Sequence, residues 1–181
     1  TDDIYGNGRL YLPESLAAPK MIVKGNGVSI TDGNTSPSIS DHTDFGSIVV
    51  TGGTMVRNFI IENIGDAELN LNGDPKVAIS GTNAADFTVT LQPTSRVTAA
   101  EQPTFTISFD PSALGERTAT VNIANDDIEN PYTFAIQGKG TTELTVSDIT
   151  ADDKVYDGTT DTTLDTDTGA LVGVESGDDV T

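Results

Sequence analysis

The chain has 181 residues, with 9 Lys and Arg against 28 Asp and Glu, a formal charge of −19 and no cysteine. So acidic a chain excludes a nucleic-acid footprint, which needs clustered Lys and Arg, and disfavours anionic membranes; lacking cysteine, it has no disulfides, thiolate nucleophiles or Cys-type zinc sites. The length suits one domain and part of a second, the 35% hydrophobic content predicts a lean core, and no run of 18 apolar residues predicts membrane insertion.

In chain order, residues 1–19 alternate weakly. Ile4, Tyr5, Leu10, Tyr11 and Leu12 are broken by Gly6-Asn7-Gly8 and closed by Pro13 and Pro19, which reads as the end of a preceding module or a linker. The first residue, Thr1 rather than Met, reads as that of a mature or excised fragment. Met21-Ile22-Val23 and Val28-Ser29-Ile30 flank Gly25-Asn26-Gly27 and predict an opening strand with a glycine-marked bulge. The polar run Thr31 to Thr43 predicts a long exposed loop before a strand at Phe45 to Val50. Met55 to Glu62 and Ala67 to Leu71, separated by Asn63-Ile64-Gly65-Asp66, read as a hairpin.

Val77 and Ile79 mark a short edge strand, and Phe87, Val89 and Leu91 another, with one helical turn between them at Asn83 to Asp86. Phe105, Ile107 and Phe109 alternate strictly with Thr104, Thr106 and Ser108, the pattern of a strand with one face in a core and one in water. Ala119, Val121 and Ile123 repeat the pattern, as do Phe134 and Ile136, with turns at Asp110 to Gly115 and Asn125 to Pro131. The fold class is therefore all-β: an antiparallel β-sandwich over about 20–140, followed by a partial second β module over 141–181. In that second part Leu144, Val146 and Ile149 mark one strand. The acidic, Thr-rich remainder is too short to bury a core unaided.

These residues resemble a known family. Lys24-Gly25-Asn26-Gly27, Asp44-Phe45-Gly46, Phe59 to Gly65, Ile79 to Phe87, Phe109-Asp110-Pro111 and Ile136 to Gly140 are similar to the choice-of-anchor D repeat of large bacterial surface proteins. That repeat is related to the immunoglobulin-like domains of the abnormal-spindle, hydin and major sperm protein group. Ile149 to Thr160, with Val155-Tyr156-Asp157-Gly158 at its centre, and Val174 to Val180 resemble part of the YDG module of bacterial adhesins. The resemblance implies an immunoglobulin-like sandwich within a secreted or surface-anchored bacterial protein. It also implies neighbouring modules as partners, and a role as a spacer in adhesion, biofilm or filament assembly.

No residue is expected to be catalytic and no cofactor to be required. His42 is the only histidine, placed in the polar loop beside Asp41 and Asp44, and no Ser sits in a nucleophile elbow. Calcium is the one candidate ion, because oxygen ligands at short spacing suit it. Asp126, Asp127, Glu129 and Asn130 crowd one turn, and Asp148, Asp152, Asp153 and Asp157 crowd the module junction; turn-forming Asx residues are the competing explanation. Tyr132 and Tyr156 are expected in core or junction packing, and Tyr5 and Tyr11 give little basis for sugar stacking. Two other roles stay open: a glycan- or protein-binding module using loops 31–43 and 125–131, and a self-assembling subunit completed by a strand from another copy.

Overall fold

The computed structural model describes residues 17–151, 153, 155, 157–161, 163–167 and 169–174. Eleven strands run from β1 to β11 in the sandwich. They are β1 (Met21–Gly25), β2 (Val28–Ile30), β3 (Asp44–Val49), β4 (Met55–Asn63), β5 (Leu69–Asn70), β6 (Val77–Ser80), β7 (Phe87–Leu91), β8 (Arg96–Val97), β9 (Thr104–Phe109), β10 (Gly115–Ile123) and β11 (Tyr132–Thr141). A single 3-10 turn, Ala84–Asp86, carries the chain from β6 to β7, where one helical turn is expected from the sequence. One sheet has the order β2-β1-β4-β9-β7 and the other β3-β11-β10-β6, with β5 and β8 paired as a separate ribbon. The all-β immunoglobulin-like sandwich is thus present.

The core is the sum of the alternating faces. β9 and β10 bury every second residue, so that Phe105, Ile107 and Phe109 meet Ala119, Val121 and Ile123 across the two sheets. All six phenylalanines are buried and form two groups. Phe87 stacks on Phe109 at 4.7 Å with Phe45 edge-on to Phe87 at 5.5 Å, and Phe59 stacks on Phe105 at 5.1 Å with Phe134 at 5.9 Å. Each such ring contributes about 1.5–3 kcal/mol by leaving water, which is how a chain without Trp stabilises its sandwich.

Two local expectations are corrected. Gly25-Asn26-Gly27 is not a bulge in one strand but the turn of a β1–β2 hairpin. Gly25 pairs with Val28, and Asn26 (φ 51) and Gly27 (φ 75) supply the two positive φ angles of a type I′ turn. Residues 55–62 and 67–71 do not form a hairpin: β4 pairs with β1 and β9, while β5 pairs with β8 some 27 positions on, through Leu69↔Val97 and Asn70↔Arg96. The expected loop 31–43 is present and largely exposed, and it is fastened along β11. Gly33 N–H donates to Thr133 O at 2.7 Å, Ala135 N–H to Asn34 O at 2.8 Å and Gln137 N–H to Thr43 O at 3.0 Å, and these bonds lead into the parallel pairing of β3 with β11.

The sandwich has two poles. β1 begins and β4 and β10 end at the first, and β10 begins and β11 ends at the second. Beyond it lie β12 (Thr145–Ser147), β13 (Thr150–Ala151), β14 (Leu164–Asp165) and β15 (Ala170–Val172), paired as two antiparallel ribbons, β12 with β15 and β13 with β14. Their described apolar side chains are exposed, from Val174 at 42% to Val155 at 90%, so the ribbons have no core of their own. No helix among the described residues is long and apolar enough to cross a membrane.

Candidate functional site

The first pole gathers the first group of candidate ion ligands. The turn between β10 and β11 starts at Asn125, whose Nδ2 donates to Ile123 O at 3.0 Å and whose Oδ1 accepts from Asp127 N–H at 2.8 Å. This Asx geometry turns Asp127 inward, where it is 5% exposed. Its Oδ2 accepts from Met21 N–H at 2.7 Å and its Oδ1 from Ile128 N–H at 2.6 Å. Asp126 binds Asn70 through both carboxylate oxygens, at 2.8 Å from N–H and 2.8 Å from Nδ2. Glu129 lies 2.5 Å from Lys20 Nζ, and Asn130 Oδ1 accepts from Asn125 N–H at 3.0 Å. The Glu129 hydrogen bond holds the Lys20 ammonium above its ordinary pKa, with the Asp127 carboxylate 3.8 Å away adding to it.

The four residues do come together, and each has a partner within the protein. Asp127 closes the entry of β1 onto the β10–β11 turn, and Asp126 ties that turn to β5. The group works as a clasp across the first pole.

Asn63, which the sequence marks only as a turn residue, completes this pole. Its Nδ2 donates to Ala67 O at 2.7 Å and Val97 O at 3.0 Å, and its Oδ1 accepts from Lys20 N–H at 3.2 Å and Gly65 N–H at 3.0 Å. A side chain 4% exposed is thereby fully satisfied. The only sequence sign was an Asn preceding Ile-Gly-Asp, which marks a turn but not its distant partners.

At the second candidate cluster, Asp148 (φ 59) accepts from Ser147 Oγ at 2.9 Å, and Asp157 Oδ1 accepts from Thr159 N–H and Oγ1 at 2.9 Å each. Asp153 is exposed; Asp152 lies outside the described residues, as do Tyr5, Tyr11 and Tyr156. Among the described residues no three His, Asp or Glu side chains converge to hold a metal ion.

Tyr132 lies in the core at 2% exposure. Its hydroxyl donates to Ile30 O, and burial pushes the phenol above its ordinary pKa. His42 is not a freely exposed loop residue. It stands half-buried at φ 66 between buried Asp41 and Thr43, with its Nδ1 buried and lacking a hydrogen-bond partner. At the second pole Arg117 Nε donates to Asp86, which is 3% exposed, while Arg117 also reaches Ser112 Oγ at 3.2 Å. Burial works to raise the Asp86 carboxyl, but hydrogen bonds from Arg117 and Ser112 outweigh it and hold it below its ordinary value. The outer face of the β10–β11 pair carries two adjoining open hollows that share Glu116 and Gln137, one bounded by Thr35 and Thr82, the other by Ile39 and Lys139.

A two-sheet sandwich with Phe-rich facing layers, β3 laid parallel on β11 and a satisfied polar clasp at the entry pole is an immunoglobulin-like domain. Residues 38–141 match the HYDIN/CFA65/VesB-like, Ig-like domain, and the chain belongs to that family. No curated protein matches the sequence. Among solved structures, a protein of unknown function from Porphyromonas gingivalis W83 is similar at 16% identity and TM-score 0.45, over 70% of this chain and 68% of that one. VesB protease of Vibrio cholerae is similar at 11% identity and TM-score 0.39, over 59% of this chain and 29% of that one. The seventh PapD-like domain of human CEP192 is similar at 14% identity and TM-score 0.41, over 70% and 88%.

Proposed function

We propose that this chain is a non-catalytic spacer segment of a larger secreted or surface-anchored bacterial protein, in which β modules in tandem hold a distal binding region away from the cell. The observation that carries the reading is the path of the chain. It enters at the first pole, where Met21 is clasped by Asp127, and leaves along β11, whose ten residues end at the second pole beside Gly115. At about 3.3 Å per residue, that strand alone separates entry from exit by roughly 33 Å. Modules joined this way extend end to end instead of folding back.

The sequence likeness of the segment after Thr141 to an adhesin module supports the same role, as does a net charge of −19, which opposes self-association. Two copies fused in tandem give, by small-angle scattering, a maximum dimension that grows by one full module length. A compact pair would overturn the reading, and so would saturable heats in titrations of the single chain against a glycan panel. Those heats would favour the glycan- or protein-binding module. Concentration-dependent polymers in light scattering would favour the self-assembling subunit.

A further inference from the structure

We infer that the passage from the sandwich into the C-terminal ribbons is a clamped elbow, in which Thr142 ties the end of the last sandwich strand to the ribbon. The sandwich holds the chain up to its last strand residue: Thr141 pairs with Val49, and its carbonyl accepts from Val50 N–H at 3.0 Å. The ribbon takes hold at the next residue, where Thr142 Oγ1 donates to Gly173 O at 2.6 Å. From there Thr145 pairs with Val172, so residues 142–144 lie beside 173–174 at the open end of the ribbon. Swivel is then confined to Thr142, a β-branched residue whose side chain is itself tied down, and to Glu143 and Leu144, whose backbone lies against Gly173.

Gly173 is what lets the two segments close on each other. It sits at φ 95, and a Cβ there would lie 2.1 Å from Glu143 O and 3.0 Å from Glu143 C. Both contacts are with backbone, which has no flexible end to swing away, so any side chain would force the segments apart. No described apolar residue of the ribbons is buried, and this local clamp is the contact that sets their direction. As a property of a spacer the elbow rests on the reading above, but its test measures an angle and not binding, so either can fail alone.

The test is the distance between spin labels at Thr88, exposed on β7, and Val146, exposed on β12. The parent chain gives a single narrow distribution. Gly173→Ala and Thr142→Val each lose it to a broad one while the sandwich's thermal midpoint stays in place, and Thr142→Ser, which keeps the hydroxyl, restores it. A broad distribution in the parent, or narrow ones in both Gly173→Ala and Thr142→Val, overturns the elbow.

Discussion

Gly138 faces the core at the point where β11 passes over Phe109. A Cβ on it would stand 2.4 Å from Phe109 Cε1, inside a ring already stacked on Phe87 and 5.9 Å from Phe45. In an open strand, Gly→Ala gains about 0.5–1 kcal/mol because the unfolded chain loses freedom. Here overpacking costs about 1–3 kcal/mol and wins. Gly138→Ala is therefore expected to lower the urea midpoint with an unchanged m-value, and a midpoint equal to or above the parent's would count against the packing argument. The Asp86–Arg117 pair makes a pH prediction of definite sign. A carboxyl held below its unfolded value near ~3.9 contributes stability above that value, and loses it as pH falls through the folded value. Asp86→Asn is expected to cost about 3 kcal/mol at neutral pH, since it leaves Arg117 facing a neutral amide in a largely buried site. The gap between parent and variant should close in acid, once the parent carboxyl is protonated too. A gap that holds constant from pH 7 to pH 2 would show that Asp86 acts through packing and not charge.

What the sequence could disclose about each element depended on how far away its partners lie. β9 and β10 were legible because period-two alternation is a local property, fixed by which face each residue presents. The β1–β2 turn was legible as glycine punctuation but not as a hairpin, since three apolar residues on either side fit a bulged strand equally well. Loop 31–43 is legible as an exposed loop because its residues are polar, but its attachment to β11 is not. Its order comes from main-chain bonds to Thr133, Ala135 and Gln137 and from side chains of its own, Asp32 accepting from Thr133 N–H and Asp41 from Thr43, and no local pattern names the partner strand. The same limit applies to the acidic turn. Three acids and an amide in five residues announce themselves, but the groups that engage them, Met21 N–H at a separation of 106 residues and Asn70 at 56, are set by topology. Because those carboxylates already have partners, calcium is expected to leave the thermal midpoint where chelator leaves it. A folded-state site held at a hundred times its Kd would instead add about 2.7 kcal/mol. Asp127→Ala, by contrast, is expected to lower the midpoint with or without the ion, because it leaves Met21 N–H without its acceptor at a buried strand entry. A midpoint that rises with calcium in the parent and not in Asp127→Ala would reassign the clasp as an ion site.

At the scale of the whole molecule the two parts of the chain differ in what holds them. Every buried apolar residue among those described lies between Met21 and Ile136, and the partly buried residues packed on that core, Ile48, Met55, Ile79 and Val89, belong to the sandwich as well. The described residues beyond Thr141 add hydrogen bonds but no buried apolar side chain, and an isolated two-stranded ribbon is marginal in water. Folding of the sandwich should therefore be independent of them. A chain ending at Thr141 is expected to keep the parent's thermal midpoint and its urea m-value, since the surface exposed in the cooperative transition is unchanged. In hydrogen exchange, amides of β12 and β15 in the parent should exchange through local opening, well before those of β4, β10 and β11, which open only with the global transition. A midpoint lowered by the truncation, or ribbon amides protected as strongly as β10, would mean that the sandwich and the ribbons fold as one unit.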